Sequence, residues 1–184
     1  MSQTVLVTGA TGAQGNATIS ALLAAGYRVR ALVPPGEDPA RLTAQGVAIV
    51  TGNFAEAASV AKAFAGARHV VLSFPLLFGP GVLLDYARNV VAAYRASRVE
   101  TIVFNTNLPV QPTDMGFVAF DSKRRIEQLF DAETLPYISL RPTIYLDNLA
   151  APWSIPVIHA QHLLPDPVAA GQPLAWLSHR DLAQ

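Results

Sequence analysis

Apolar residues along this chain fall into short runs that alternate with longer amphipathic stretches. Thr4 to Val7 is apolar or β-branched enough for a strand buried on both faces, and Ala17 to Ala25 sets Ile19, Leu22 and Leu23 on one helical face. Tyr27 to Val33 alternates and then turns wholly apolar, which predicts a second strand that Pro34-Pro35-Gly36 stops. Pro39 to Gln45 reads as a short helix closed by Gly46, and Val47 to Thr51 as a third strand ending at Gly52-Asn53. Ala57 to Ala65 has helical period, and His69 to Ser73 is a fourth strand that runs into Phe74-Pro75-Leu76. A long helix over Gly81 to Ser97, a fifth strand over Thr101 to Asn105, a helix over Val118 to Ala132 and a sixth strand over Tyr137 to Arg141 complete the series. Strands alternating with helices in this way predict an α/β fold with a doubly wound parallel sheet and right-handed crossovers.

The first junction in that series carries chemistry. Gly9, Gly12 and Gly15 stand at three-residue spacing between the first strand and the first helix. Gly9 permits a tight turn, Gly12 lets backbone approach a pyrophosphate, and Gly15 allows the helix to pack closely on the strand. The helix N-terminus then offers N–H groups and a partial positive charge to phosphates. In this context the run Gly9-Ala10-Thr11-Gly12-Ala13-Gln14-Gly15 predicts a dinucleotide site in a Rossmann fold.

Composition narrows the ligand further. With 184 residues, 51% of them apolar, 14% charged and no net charge, the chain has no electrostatic footprint for nucleic acid or an anionic membrane, so a small-molecule substrate is expected. The absence of cysteine excludes disulfides, thiolate catalysis and Cys-ligated zinc. No apolar run reaches the roughly 18 residues of a membrane span, and the first strand begins too early for a signal peptide, so a cytoplasmic protein is expected.

The adenosine end is less regular. An acid about 20 residues beyond the glycines binds the 2′-hydroxyl of NAD, and an Arg accommodates the phosphate of NADP. Val33 and Pro34, which end the second strand, are neither. Arg30 within the strand and Arg41 after it are the candidates for a 2′-phosphate, each equally readable as a solvated surface arginine, and the missing acid favours NADP with NAD as the alternative. Residues 1–141 are expected to form the NAD(P)-binding domain. Residues 142–184, rich in proline and containing both tryptophans, are expected to form a partial substrate-side cap in which Ile155 to Leu164 is the main periodic piece.

These residues support a family resemblance. Val7-Thr8-Gly9-Ala10-Thr11-Gly12 with Gly15, Val29 to Val33, Gly46-Val47, Gly52-Asn53, and Leu135-Pro136-Tyr137-Ile138-Ser139-Leu140-Arg141-Pro142 with Asn148 resemble the NmrA-like group of atypical short-chain dehydrogenases/reductases. The resemblance implies activity ranging from NADPH-dependent reduction of quinones or enone-like carbonyls to no catalysis, the dinucleotide then serving as a redox signal. It also sets departures in relief. Pro34 stands where such proteins carry an arginine, and Asn53 where they carry an acid near the adenine, a contact an amide also makes. In the Tyr-x-x-x-Lys pattern of many short-chain dehydrogenases, Lys123 is matched but Ala119 takes the place of the tyrosine. Leu174 to Ala183 resembles the family's Asp-Ile-Ala segment, past which members usually continue, so a naturally short member or a truncated one is expected, with the substrate side half built.

Lys123 is the candidate catalytic residue and also a cofactor contact, hydrogen-bonding the nicotinamide ribose or polarising a carbonyl; its alternative is a surface lysine beside Arg124 and Arg125. Asn105, Thr106 and Asn107 end the fifth strand towards the nicotinamide, and Phe74, Pro75 and Leu76 line the path between pyrophosphate and nicotinamide. Tyr145 is read as a buried structural tyrosine, with proton donor as its alternative. His159 and His162 lack a third ligand, so no metal is expected. His179 and Asp181, two apart, do not face each other on a helix. Two functions follow: an NADPH-dependent oxidoreductase of a small quinone or carbonyl, or a non-catalytic NADP(H)-sensing regulator acting through a protein partner. The high apolar fraction leaves a homodimer open.

Overall fold

In the computed structural model, which describes residues 3–77, 79–163 and 171–184, six parallel strands form one sheet in the order β3-β2-β1-β4-β5-β6. The strands are β1 (Thr4–Val7), β2 (Arg28–Val33), β3 (Ala48–Thr51), β4 (His69–Ser73), β5 (Thr101–Asn105) and β6 (Tyr137–Leu140). Between them run α1 (Ala13–Ala24), α2 (Ala40–Ala44), α3 (Ala57–Phe64), α4 (Val82–Arg95) and α5 (Val118–Ala132). The chain winds outward from β1 to β3, then returns to place β4 on the other side of β1. The crevice where strand order reverses therefore opens between β1 and β4, at their C-terminal ends.

Alternation along each strand splits the apolar residues between two faces. Leu6, Leu32, Val70, Leu72, Ile102 and Phe104 face a core completed by α3, α4 and α5 through Phe64, Val90 and Phe130. Val5, Val7, Val29, Ala31 and Val33 face a smaller core completed by Ile19 of α1 and Leu42 of α2. A file of aromatic rings, Phe54, Phe74, Phe104, Phe130 and Tyr137, crosses the larger core with successive centroids 4.8, 5.9, 5.6 and 5.4 Å apart. Burial of each such ring contributes roughly 1.5–3 kcal/mol.

Two sequence expectations shift at their edges. The first helix begins at Ala13 rather than Ala17, because the glycine turn leads directly into helical backbone and Gly15 packs inside its first turn. The third strand loses Val47, whose N–H closes the preceding helix by donating to the Leu42 carbonyl at 3.1 Å.

Beyond the sheet, β7 (Ile144–Tyr145) pairs in parallel with β8 (Trp176–Leu177), and between them lie a 3-10 turn (Leu146–Ala150) and α6 (Ile155–Gln161). The final α7 (His179–Leu182) packs on α1. Helix α6 buries none of its residues. It matches the periodic piece expected over Ile155 to Leu164, whose last residue lies outside the described residues.

Candidate functional site

The crevice is built first by backbone. Gly9 has φ +62, which carries the chain out of β1 in the left-handed region. A Cβ on Gly15 would lie 2.2 Å from the Gly9 carbonyl oxygen and 2.6 Å from Ala10 Cα, so only glycine lets α1 start this close to the turn. At Gly12 the same test gives 3.4 Å to the Gly9 carbonyl oxygen and open space otherwise, so that position is free of crowding from the protein itself. The Asn16 amide holds the turn by donating to the carbonyls of Thr11 and Gly12 at 3.1 and 2.9 Å. Together these make a cradle at a helix N-terminus that fits a pyrophosphate.

Thr8 fixes the crevice floor: its hydroxyl donates to the Ser73 carbonyl at 2.9 Å and accepts from the Ser73 N–H at 2.8 Å. Where β4 and β5 end, the amide of Asn107, whose φ is +62, pairs with the Ser73 hydroxyl at 3.0 Å and donates to the Phe74 carbonyl at 3.2 Å. Asn105 donates to Gln14 Oε1 at 2.9 Å and approaches the Tyr145 hydroxyl at 3.4 Å. The glycine turn, the ends of β4 and β5, and Tyr145 of β7 thus meet around one polar chain. Thr106 belongs elsewhere. Its hydroxyl is buried against the Leu108 and Leu140 carbonyls at 2.6 and 3.0 Å, which makes it a structural tie.

Beside the glycine turn a cleft of about 300 Å³ is walled by Gly9, Thr11, Leu32, Pro34, Asn53, Phe54, Phe74 and Pro75. Glu37 also lines it. Phe74 is at once core and cleft floor, being almost wholly buried, while Leu76 is largely exposed outside the cleft lining. Asn53 lines the cleft, yet its side chain is engaged at the start of α3, accepting from Ala55 N and Glu56 N and donating to Glu56 Oε1.

The two arginines expected at the ribose are not brought there. Arg30 turns to the far end of α3, where its guanidinium donates to the carbonyls of Ala63, at 3.1 Å, and Ala65. Arg41 is exposed on α2, outside the residues that line the cleft. Glu37 stands three residues past the strand stop at Pro34. Its carboxylate lies within the window of about 20 residues past the glycines, and that spacing was the available signal.

Lys123 is fully buried on α5, not a surface lysine, and its Nζ has no hydrogen-bond partner among the described residues. Burial pushes its pKa down to about 8. An unpartnered buried amine costs stability, and Lys123 lines none of the cavities found among the described residues. Nearby on the same helix, buried Asp121 accepts the N–H groups of Met115 and Gly116 at 2.7 and 2.9 Å, and buried Glu127 accepts Arg141 at 3.0 and 2.7 Å. The Leu-Arg-Pro arginine therefore ties β6 to α5.

On β7, Tyr145 is buried and its pKa is raised by desolvation. Its ring lies 4.7 Å from that of His179. His179 donates its backbone N–H to Asp147 at 2.8 Å, with its ring Nδ1 3.3 Å from the same carboxylate but without a hydrogen bond to it, whereas Asp181 caps its own helix through Ser178. Among the described residues no group of three or more His, Asp or Glu is placed to hold a metal, and no helix is long and apolar enough to cross a membrane.

The sequence model of the NmrA-like family matches residues 1–184. The protein y4nL of Sinorhizobium fredii is 38% identical over 125 residues, covering 58% of this chain and 35% of its own length. The triphenylmethane reductase of a Citrobacter species, solved with NADP(H), superposes with a TM-score of 0.65 at 28% identity, over 79% of this chain and 51% of that one. A nucleoside-diphosphate-sugar epimerase of Staphylococcus aureus gives a TM-score of 0.81 at 20% identity, over 98% and 64% respectively, a likeness of fold alone. The chain thus spans between about a third and two thirds of the length of these relatives.

Proposed function

The chain belongs to the NmrA-like family, and on that premise we propose that it is an NAD(P)H-dependent oxidoreductase acting on a small quinone or carbonyl compound. The observation that carries the reading is Lys123: a fully buried amine without a partner, on the helix that follows the strand ending in Asn105. The glycine cradle supports the cofactor half of it, and the NADP(H) held by the Citrobacter reductase structure supports a reductase among the possible family activities.

When bound, the nicotinamide supplies the hydride. The chain's own part is to place and polarise. Gly9, Gly12 and the first turn of α1 receive the pyrophosphate, and Asn105 with Gln14 and Asn107 present amides towards the carboxamide and acceptor. Lys123 donates a hydrogen bond to a ribose hydroxyl or to the acceptor oxygen, which replaces the polarisation a tyrosine would give at Ala119. With a pKa of about 8, the amine is mostly protonated at neutral pH and is a donor that can also release its proton.

The test is nicotinamide consumption by the purified chain against a panel of quinones and enones, alongside direct binding of NADH and NADPH. Turnover lost in Lys123→Met, with binding retained, is the expected result. Binding without turnover on any acceptor overturns the reductase and favours the non-catalytic sensor, for which partner association would differ between reduced and oxidised dinucleotide.

A further inference from the structure

We infer that Glu37 sets the dinucleotide preference of this protein, and sets it towards NAD(H) against NADP(H). The inference rests on the dinucleotide-binding reading and departs from the NADP(H) found in the Citrobacter reductase structure.

A tight turn ends β2. Glu37 N donates to the Pro34 carbonyl at 3.2 Å, and Gly36 has φ +89, so the chain folds back on itself at once after Pro34-Pro35. That turn returns Glu37 to the crevice, where its carboxylate accepts a hydrogen bond from the Thr11 hydroxyl in the glycine turn. Glu37 thereby bridges the end of the second strand and the phosphate cradle. In a dinucleotide fold this is the place of the adenosine ribose.

Charge decides what such a place accepts. Among the described residues lining the cleft, Glu37 is the only charged side chain, and none is a lysine or arginine. Arg30 is held at the opposite end of the sheet by the Ala63 and Ala65 carbonyls, and Arg41 lies outside the lining. A ribose diol offers two hydroxyl donors to the carboxylate, making charge-assisted hydrogen bonds. A 2′-phosphate removes one of those donors and sets close to two negative charges against a third with no cation to offset them. The Thr11 hydroxyl, a lone neutral donor, does not offset that repulsion.

The experiment is titration of the intact chain with NADH and NADPH, followed by nicotinamide fluorescence, and with 5′-AMP and 2′,5′-ADP followed by calorimetry. NADH is expected to bind about tenfold or more tightly than NADPH, the order of repulsion between a carboxylate and a phosphate a few ångströms apart in a water-accessible cleft. Glu37→Gln is expected to bring the two within about threefold, and Glu37→Arg to reverse the order. Glu37 is exposed, and unchanged thermal melts of the variants show that binding rather than folding has moved. Equal binding by the unaltered chain, tighter NADPH binding, or a preference unmoved in Glu37→Gln overturns the role of Glu37 while leaving dinucleotide binding intact. Binding of neither dinucleotide overturns the dinucleotide reading, and the inference with it.

Discussion

Thr8 and Ser73 lock the two central strands together where the sheet changes direction: one hydroxyl donates to the Ser73 carbonyl at 2.9 Å and accepts from its N–H at 2.8 Å. Valine at position 8 keeps the shape and removes both bonds, which leaves a part-buried N–H and carbonyl unsatisfied. Thr8→Val is expected to lose roughly 1–3 kcal/mol in denaturant unfolding. A loss within error would mean that water replaces the hydroxyl.

Gly12 and Gly15 separate the cost of folding from the cost of binding. An alanine methyl at Gly15 strikes backbone at 2.2 Å, so Gly15→Ala is expected to lower the melting temperature sharply. At Gly12 the nearest atom is 3.4 Å away and φ is −75, so Gly12→Ala is expected to fold normally and to weaken dinucleotide binding instead. Equal binding by Gly12→Ala and the parent chain would refute a pyrophosphate at this turn.

Lys123 makes stability depend on pH in a stated direction. Its folded pKa of about 8 lies below the ordinary lysine value of 10.5, so between those values the unfolded chain binds more protons. Stability is therefore reduced in full below pH 8 and recovers as pH rises towards 10.5. Replacement by methionine removes the desolvated charge, so Lys123→Met is expected to be as stable as the parent or more stable at pH 7, with the difference shrinking by pH 10. Unfolding curves at pH 7, 8.5 and 10 measure this, and a difference independent of pH would show the amine to be paired.

Glu127 is buried and Arg141, half exposed, reaches it through two guanidinium nitrogens. Arg141→Ala strands the carboxylate, with only the Ser139 hydroxyl left beside it, and is expected to cost about 1–3 kcal/mol. Arg141→Lys is expected to recover only part of that, because an ammonium lacks the planar fork. Full recovery with lysine would assign the effect to charge alone.

Much of this molecule was legible in local pattern. Six apolar runs and the helices between them set the alternation, and the three glycines marked the cradle, because strand burial, helical period and the steric demands of Gly9 and Gly15 are all properties of neighbouring residues. What lay beyond was set by contacts across long separations. Arg30 reads as a phosphate ligand until α3 folds against it and its carbonyls claim the guanidinium. Lys123 reads either as a catalytic lysine or as a surface lysine beside two arginines, and only the packing of α5 turns that one side chain inward. Glu37 lies past an apparent stop, and only the turn at Pro34 to Glu37 returns its carboxylate to Thr11, 26 residues earlier. His179 finds Asp147 rather than Asp181 because β8 pairs with β7 and carries the last helix to the 3-10 turn. Sequence by itself determined the elements and the glycine turn; the tertiary structure alone decided which charged side chains face the crevice, since each is long enough to point either way and its direction depends on where distant groups offer a partner.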